Sequence, residues 1–296
     1  MQKESPLAAV ALMLCAAALL AVTTLIAKAL GRGIAGEPLP PLVISACRFI
    51  FAWITLLPLV VFMRPSFAGA RWVLHGARTF CGWAAVTCLF AAAAVMPLAD
   101  ATAIAFLNPL FAMVLAIPLL RERIGPWRWV AAALAVAGAL LLIRPGSGTF
   151  EPYALVALAS ALLMAFEVIF IKMLSGGKSA VGEPAIRILF INNSLGATIG
   201  MVAASTVWVM PSIVQWGLLA ALGMTMVCAQ SCFIQAMKRA EASFIMPVFY
   251  ATLVFAALYD LAVFDVLPSA LSALGGILIV VSAGVLAWRE GVRGQT

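Results

Sequence analysis

The chain has 296 residues, 65% of them hydrophobic and only 10% charged, with a mean hydropathy of +1.15 and a formal net charge of +7. Soluble domains carry about 25% charged residues, so a soluble globular protein is excluded and an integral membrane protein is indicated. A single histidine and six cysteines without a Cys-x-x-Cys pair offer no structural zinc motif.

A spanning helix needs roughly 20 apolar residues. Ten segments meet this pattern, at approximately 7–29, 40–63, 72–96, 100–120, 127–144, 153–174, 186–209, 212–236, 242–264 and 267–288. The first lacks a cleavage-site pattern after a short apolar core and reads as retained, not as a signal peptide. With the N-terminus in the cytoplasm, ten crossings bring Lys3, Arg64, Arg71, Arg78, Arg121, Arg123, Arg128, Lys172, Lys178, Arg187, Lys238, Arg239, Arg289 and Arg293 to the cytoplasmic side. Lys28, Arg32 and Arg144 fall outside, and Arg48 lies within a span. This asymmetry follows the positive-inside rule, so the excess of basic residues reflects topology and not nucleic-acid binding. Both termini are expected in the cytoplasm.

In chain order, Gly31 to Pro41 forms a Gly/Pro-rich outer loop, and span two carries Arg48 among apolar neighbours. Span three begins near Arg71, His75 and Arg78 and passes through Trp83. Span four opens at Asp100, is interrupted by Asn108-Pro109 and ends in Leu120-Arg121-Glu122-Arg123. Span five is rich in Ala and ends at Arg144-Pro145-Gly146. The polar connector Ser147 to Glu151 divides the chain into 1–150 and 151–296. The second part then repeats the first. Leu20–Leu30 aligns with Met164–Leu174 at an offset of 144, and the pairs Ala99/Ala240, Asp100/Glu241, Ala101/Ala242, Thr102/Ser243 and Ile104/Ile245 share an offset of 141. Five spans per repeat is odd, so the second repeat enters the membrane inverted, as in secondary transporters whose solute site lies between the halves.

Pro97-Leu-Ala-Asp-Ala-Thr-Ala-Ile104, Asn108-Pro-Leu-Phe111, Leu120-Arg-Glu-Arg123 and Ala137-Gly-Ala-Leu-Leu-Leu-Ile-Arg-Pro-Gly146 resemble the first-repeat signature of the EamA branch of the drug/metabolite transporter superfamily. The second half departs from it: Asp265 stands where the family has a helix-end Glu, and Tyr250 near the position of a Pro. The resemblance implies an all-α integral membrane protein with ten transmembrane helices, two inverted five-helix repeats and a central cavity. It also implies transport of a small organic solute, drawn from amino acids, nucleosides, vitamins such as riboflavin, S-adenosylmethionine, metallophores and drugs.

Several polar residues sit where lipid or packed helix would otherwise be. Pro109 lacks an amide donor and its ring crowds the carbonyl of Ala105; Pro247 does the same to Ser243. Each bend frees a backbone acceptor at depth, which requires cover from protein or a wet cavity. The two bends are candidate flex points, with packing kinks as the alternative, and Asn108 adds an amide beside the first. Glu167, some fourteen residues into span six, is the most unfavourably placed side chain. Three readings stand for it: a structural ion pair with Arg48, contact with a positive group of the solute, or proton coupling. Asn192 and Gln230 are candidate cavity contacts. Trp83 and Tyr250 are candidate aromatic faces for a planar or cationic solute, with ordinary packing as the alternative. Asp100 and Glu241 open equivalent helices, where an acid complements the helix dipole or latches a gate. Small residues in spans five and ten (Ala131, Ala135, Ala139; Gly276, Ala283) suit close packing or a dimer face.

These features point to a secondary-active transporter of an amino acid or related zwitterionic or weakly polar metabolite across the bacterial inner membrane, working by alternating access. A riboflavin-like vitamin, S-adenosylmethionine or a drug are alternative cargoes. No Walker A motif is present, no cofactor or metal is expected, and a proton is a candidate coupling ion. A membrane-embedded enzyme would need clustered acid–base groups, and a passive channel would want charged rings.

Overall fold

The computed structural model describes residues 6–33, 36–93, 98–143, 153–176, 182–264 and 270–293. The described chain is helical: α1 (Pro6–Gly31), α2 (Pro41–Met63), α3 (Trp72–Ala93), α4 (Leu98–Ala105), α5 (Asn108–Leu120), α6 (Pro126–Ile143), α7 (Tyr153–Gly176), α8 (Ala185–Ala204), α9 (Ile213–Arg239), α10 (Ala242–Phe249), α11 (Ala251–Phe264) and α12 (Ala270–Arg293). Among the described residues six stretches are long and apolar enough to cross a membrane, namely Leu7–Gly31, Pro41–Met63, Tyr153–Gly176, Ala185–Ala204, Ile213–Arg239 and Ala242–Val263. Asn108–Leu120, Pro126–Leu141 and Ala273–Val285 are shorter apolar helices.

Two of the expected spans are broken rods. Residues 106 and 107 form a turn, and Asn108-Pro109 then opens α5, with Pro109 in its first turn. The proline therefore starts a new helix instead of bending a continuous one, which suits a residue that has no amide to give to a preceding turn. In the second half Pro247 lies inside α10, and the break follows at Tyr250.

Packing pairs elements from the two halves of the chain. α1 lies on α9 and α3 on α7; α2 contacts α9 and α3 contacts α8; α5 lies on α7 and α1 on α11. α2 also packs on α8, and α6 on α12. Small residues permit these close approaches. A Cβ on Gly138 would come within 2.6 Å of the Gly275 carbonyl oxygen, so α6 and α12 meet backbone to backbone. Ala131, Ala135 and Ala139 are buried, and Ser282 of α12 donates to the Ala131 carbonyl at 2.7 Å. The small-residue stripe of span five is thus consumed within the chain, where a dimer face was the alternative expectation.

One end of the bundle collects the start of α3, the end of α5, the start of α6, the segment between α7 and α8, and the corner between α9 and α10. The opposite end joins the α1–α2 loop to the start of α9, where Gln215 donates to the Glu37 carbonyl at 2.7 Å and completes a capping box with Ser212.

Candidate functional site

His75, Arg78 and Gly82 recur every three or four residues, so α3 presents them on one face, and Arg71 continues the spacing immediately before the helix. That face meets α7, α8 and the segment before α8. The deepest contact lies between Arg78 and Glu167, with Nε 3.9 Å from Oε1. Arg78 is fully buried, whereas the Glu167 side chain keeps 26% of its surface. Arg78 Nη1 donates to the Ile188 carbonyl of α8 at 3.2 Å. Its Nε and Nη2 have no hydrogen-bond partner among the described residues. Gly82 makes room for the acid: a Cβ there would stand 2.9 Å from the Glu167 carboxyl carbon and Oε2.

The pairing corrects one expectation and adds a residue. Arg78, expected on the cytoplasmic side at the start of span three, is fully buried. Arg48 was the expected partner of Glu167, but the ion-pair distance belongs to Arg78; Arg48 acts on the same carboxylate electrostatically, and its guanidinium lies 4.2 Å from the centre of the Phe49 ring. Arg78 sits only six residues into α3, so counting depth along the sequence assigns it to the mouth. The spacing of 71, 75, 78 and 82 was the signal that could have found it.

The other candidates divide. Asn192 accepts from Thr79 Oγ1 at 3.1 Å, which places it beside Arg78 on the α3–α8 contact. The buried Oε1 of Gln230 has no hydrogen-bond partner among the described residues. Trp83 is 39% exposed. Asn108 is buried, and its amide donates to the Ala105 carbonyl at 3.0 Å, the very acceptor that Pro109 leaves without a donor. Tyr250 is 1% exposed and its hydroxyl donates to the Phe106 carbonyl at 2.7 Å. The expectation that Tyr250 offers a free aromatic face gives way to a structural bond between the two helix breaks. The side chain of Asp100 lies outside the described residues.

Glu241 is the N-cap of α10, yet its side chain does not cap the helix. Its carboxylate pairs with Arg128, which also donates to Ser243 Oγ at 2.9 Å. The helix N-terminus is capped instead by Glu122, whose two carboxylate oxygens accept from the amides of Ala242 and Ser243 at 2.9 Å each. A buried acid on two amides of a helix N-terminus is favourably placed. Lys172 closes the same corner by donating to the carbonyls of Met237 and Ala240 at the end of α9. Glu122 and Lys172 were visible in the sequence as an acid ending span four and a basic residue ending span six, but neither position names the carbonyls or amides it reaches.

A second hub surrounds Glu183, just before α8. His75 Nε2 lies 3.0 Å from Oε2, the Arg71 amide donates to Oε1 at 3.0 Å, and Arg187 stands 3.7 Å from Oε2. Lys238 donates to the Glu183 carbonyl at 2.8 Å, and Arg71 Nη2 to that of Leu174 at 2.9 Å. Burial pushes the Glu183 carboxyl up, but the Arg71 amide together with the hydrogen bond and charge of His75 outweighs it and holds the group below the ordinary value of 4.5. No motif around Gly182-Glu183-Pro184 announces this role.

Comparison with known proteins agrees with this arrangement of apolar helices. A protein of known crystal structure superposes with a TM-score of 0.80 at 20% identity, covering 97% of this chain and 99% of its own. The S-adenosylmethionine uptake transporter of Rickettsia bellii (strain RML369-C) is 27% identical over 79% of each chain. The riboflavin transporter of Vibrio cholerae is 27% identical, covering 84% of this chain and 83% of its own. The pseudopaline exporter CntI of Pseudomonas aeruginosa is 29% identical over 67% of this chain and 68% of its own. The profile of the EamA-like transporter family matches residues 7–144. The family and these relatives are transporters, not enzymes. Over residues 7–144 the chain is therefore similar to the EamA-like transporter family, and over about two thirds or more of its length to small-molecule transporters.

Proposed function

We propose that the protein is a secondary-active carrier that moves an amino acid or a related zwitterionic or weakly polar metabolite across the bacterial inner membrane by alternating access. In this reading ten crossings form two inverted five-helix repeats, 1–150 and 151–296, with both termini in the cytoplasm. The exchange pattern of the packing supports it, because each cross-half contact such as α1 on α9 has a counterpart such as α3 on α7. The separation of 144 residues between Phe106 and Tyr250, which meet at the two breaks, equals one of the repeat offsets.

The observation that carries the reading is the Arg78–Glu167 contact, with Arg48 acting on the same acid. Charges inside an apolar bundle are retained where they pair, meet a solute or line a wet path. In this site Arg48, Glu167, Asn192 and Gln230 serve the solute. Asn108, Tyr250, Pro109 and Pro247 maintain the broken helices, and Glu241 with Arg128 latches the cytoplasmic corner. The solutes named for the relatives, S-adenosylmethionine and riboflavin, are the alternative cargoes.

Counterflow in proteoliposomes tests the reading. Labelled S-adenosylmethionine, riboflavin and a mixture of amino acids are offered to vesicles preloaded with the unlabelled compounds. A carrier exchanges at least one of them saturably. Flux that rises linearly with concentration, or no exchange of any solute, removes the carrier reading.

A further inference from the structure

We infer that Arg78 is the receptor for a carboxylate on the solute, an inference that rests on the carrier reading above. A guanidinium presents two forks, and Nε with Nη2 forms the side-on one, whose two parallel N–H bonds match the two oxygens of a carboxylate. In Arg78 this fork lacks a hydrogen-bond partner among the described residues, although the side chain is fully buried. The third nitrogen, Nη1, is anchored on the Ile188 carbonyl, which fixes the plane of the group. Glu167 faces the fork, but 3.9 Å from Nε is an ion-pair distance and not a hydrogen bond. A structural salt bridge buried this deeply normally closes to direct hydrogen bonds, because unpaired buried donors are unfavourable.

The charge count points the same way. Two guanidinium groups, Arg48 and Arg78, act on one carboxylate, Glu167. With Glu167 ionised the cluster carries one surplus positive charge. A solute carboxylate on the Arg78 fork offsets the surplus, and Glu167 is then free to face Arg48 or a cationic end of the same solute. Gly82, four residues along the same helix face, keeps the space beside Glu167 clear. The substrate class is therefore a carboxylate-bearing metabolite, with amino-acid-type zwitterions as the simplest members.

The test uses the purified full chain in detergent and follows thermal unfolding with paired probes. L-methionine, L-phenylalanine and S-adenosylmethionine are each compared with a partner that lacks the carboxylate: the two methyl esters and decarboxylated S-adenosylmethionine. At least one acid is expected to raise the unfolding temperature by mass action, with its partner on the order of 30-fold weaker. Arg78→Gln is expected to lose that discrimination while its unliganded unfolding temperature stays at or above that of the wild type, since a surplus buried charge has been removed. Arg78→Lys, which keeps the charge and loses the fork, is expected to fall between the two. An Arg78→Gln protein that fails to fold or unfolds several degrees lower marks a structural ion pair and overturns the inference. So do partners that bind as well as the acids, or a wild type that no acid stabilises. Counterflow separates the two levels: saturable exchange restricted to solutes without a carboxylate overturns the Arg78 assignment and leaves the carrier intact, whereas no exchange at all removes the carrier.

Discussion

A methyl group added at Gly82 meets the far end of the Glu167 side chain at 2.9 Å, while one added at Gly138 meets the Gly275 backbone at 2.6 Å. The same substitution therefore has opposite consequences. Gly82→Ala pushes aside a flexible carboxylate, so the unfolding temperature is expected to change little while the KM for counterflow rises about tenfold or more. Gly138→Ala forces two helices apart and is expected to destabilise by about 1–3 kcal/mol, read as a lower unfolding temperature with KM unchanged in the protein that remains folded. Tyr250→Phe leaves the Phe106 carbonyl without its donor and is expected to lower stability by about 0.6–1.7 kcal/mol, checked by the same unfolding measurement. Glu167 was legible from sequence because a carboxylate amid Phe166, Val168 and Ile169 has few explanations. Its partner was not, since Arg78 reaches inward from near a helix start, and sequence gives depth along the axis but not where a long side chain turns. Asn108 and Tyr250 were recognised as unusual, but their partners are main-chain carbonyls, whose exposure depends on a break that only the folded backbone defines.

At the scale of elements, the Glu183 carboxylate ties the start of α3 to α8, while Arg71 reaches the Leu174 carbonyl at the end of α7 and Lys238 at the end of α9 reaches the Glu183 main-chain carbonyl. The carboxylate's folded-state value is depressed, so its contribution to stability is complete above the ordinary carboxylate value of 4.5 and is lost as pH falls through the lower folded value. Glu183→Gln is expected to lower stability by about 2 kcal/mol at pH 7. The difference from wild type should shrink as the pH is taken from 5 towards 3, which unfolding at a series of pH values will show; a constant difference would mean that the carboxylate charge is not what holds the hub. The broken helices were legible as proline-bearing spans, yet their form differs. Pro109 begins α5, whereas Pro247 lies inside α10 and the chain breaks three residues later. The α9–α10 corner is set by Glu122, just after α5, and by Lys172 of α7, so its angle is a property of packing and not of the local sequence.

For the whole molecule, the strongest packing runs across the two halves and not within them: α1 lies on α9, α3 on α7, α2 on α8 and α6 on α12. Neither 1–150 nor 151–296 then retains its main partners when alone. Each half expressed separately is expected to be degraded or aggregated, and co-expression is expected to restore a complex that co-purifies and unfolds cooperatively. A half that is stable alone would contradict this. The composition made an apolar helical membrane bundle legible, while the pairing of its helices lay in contacts far apart in the chain. The bond from Tyr250 to Phe106 gives that pairing a mechanical meaning. The knuckle of one rod rests on the knuckle of the other, so straightening either is expected to drag its twin.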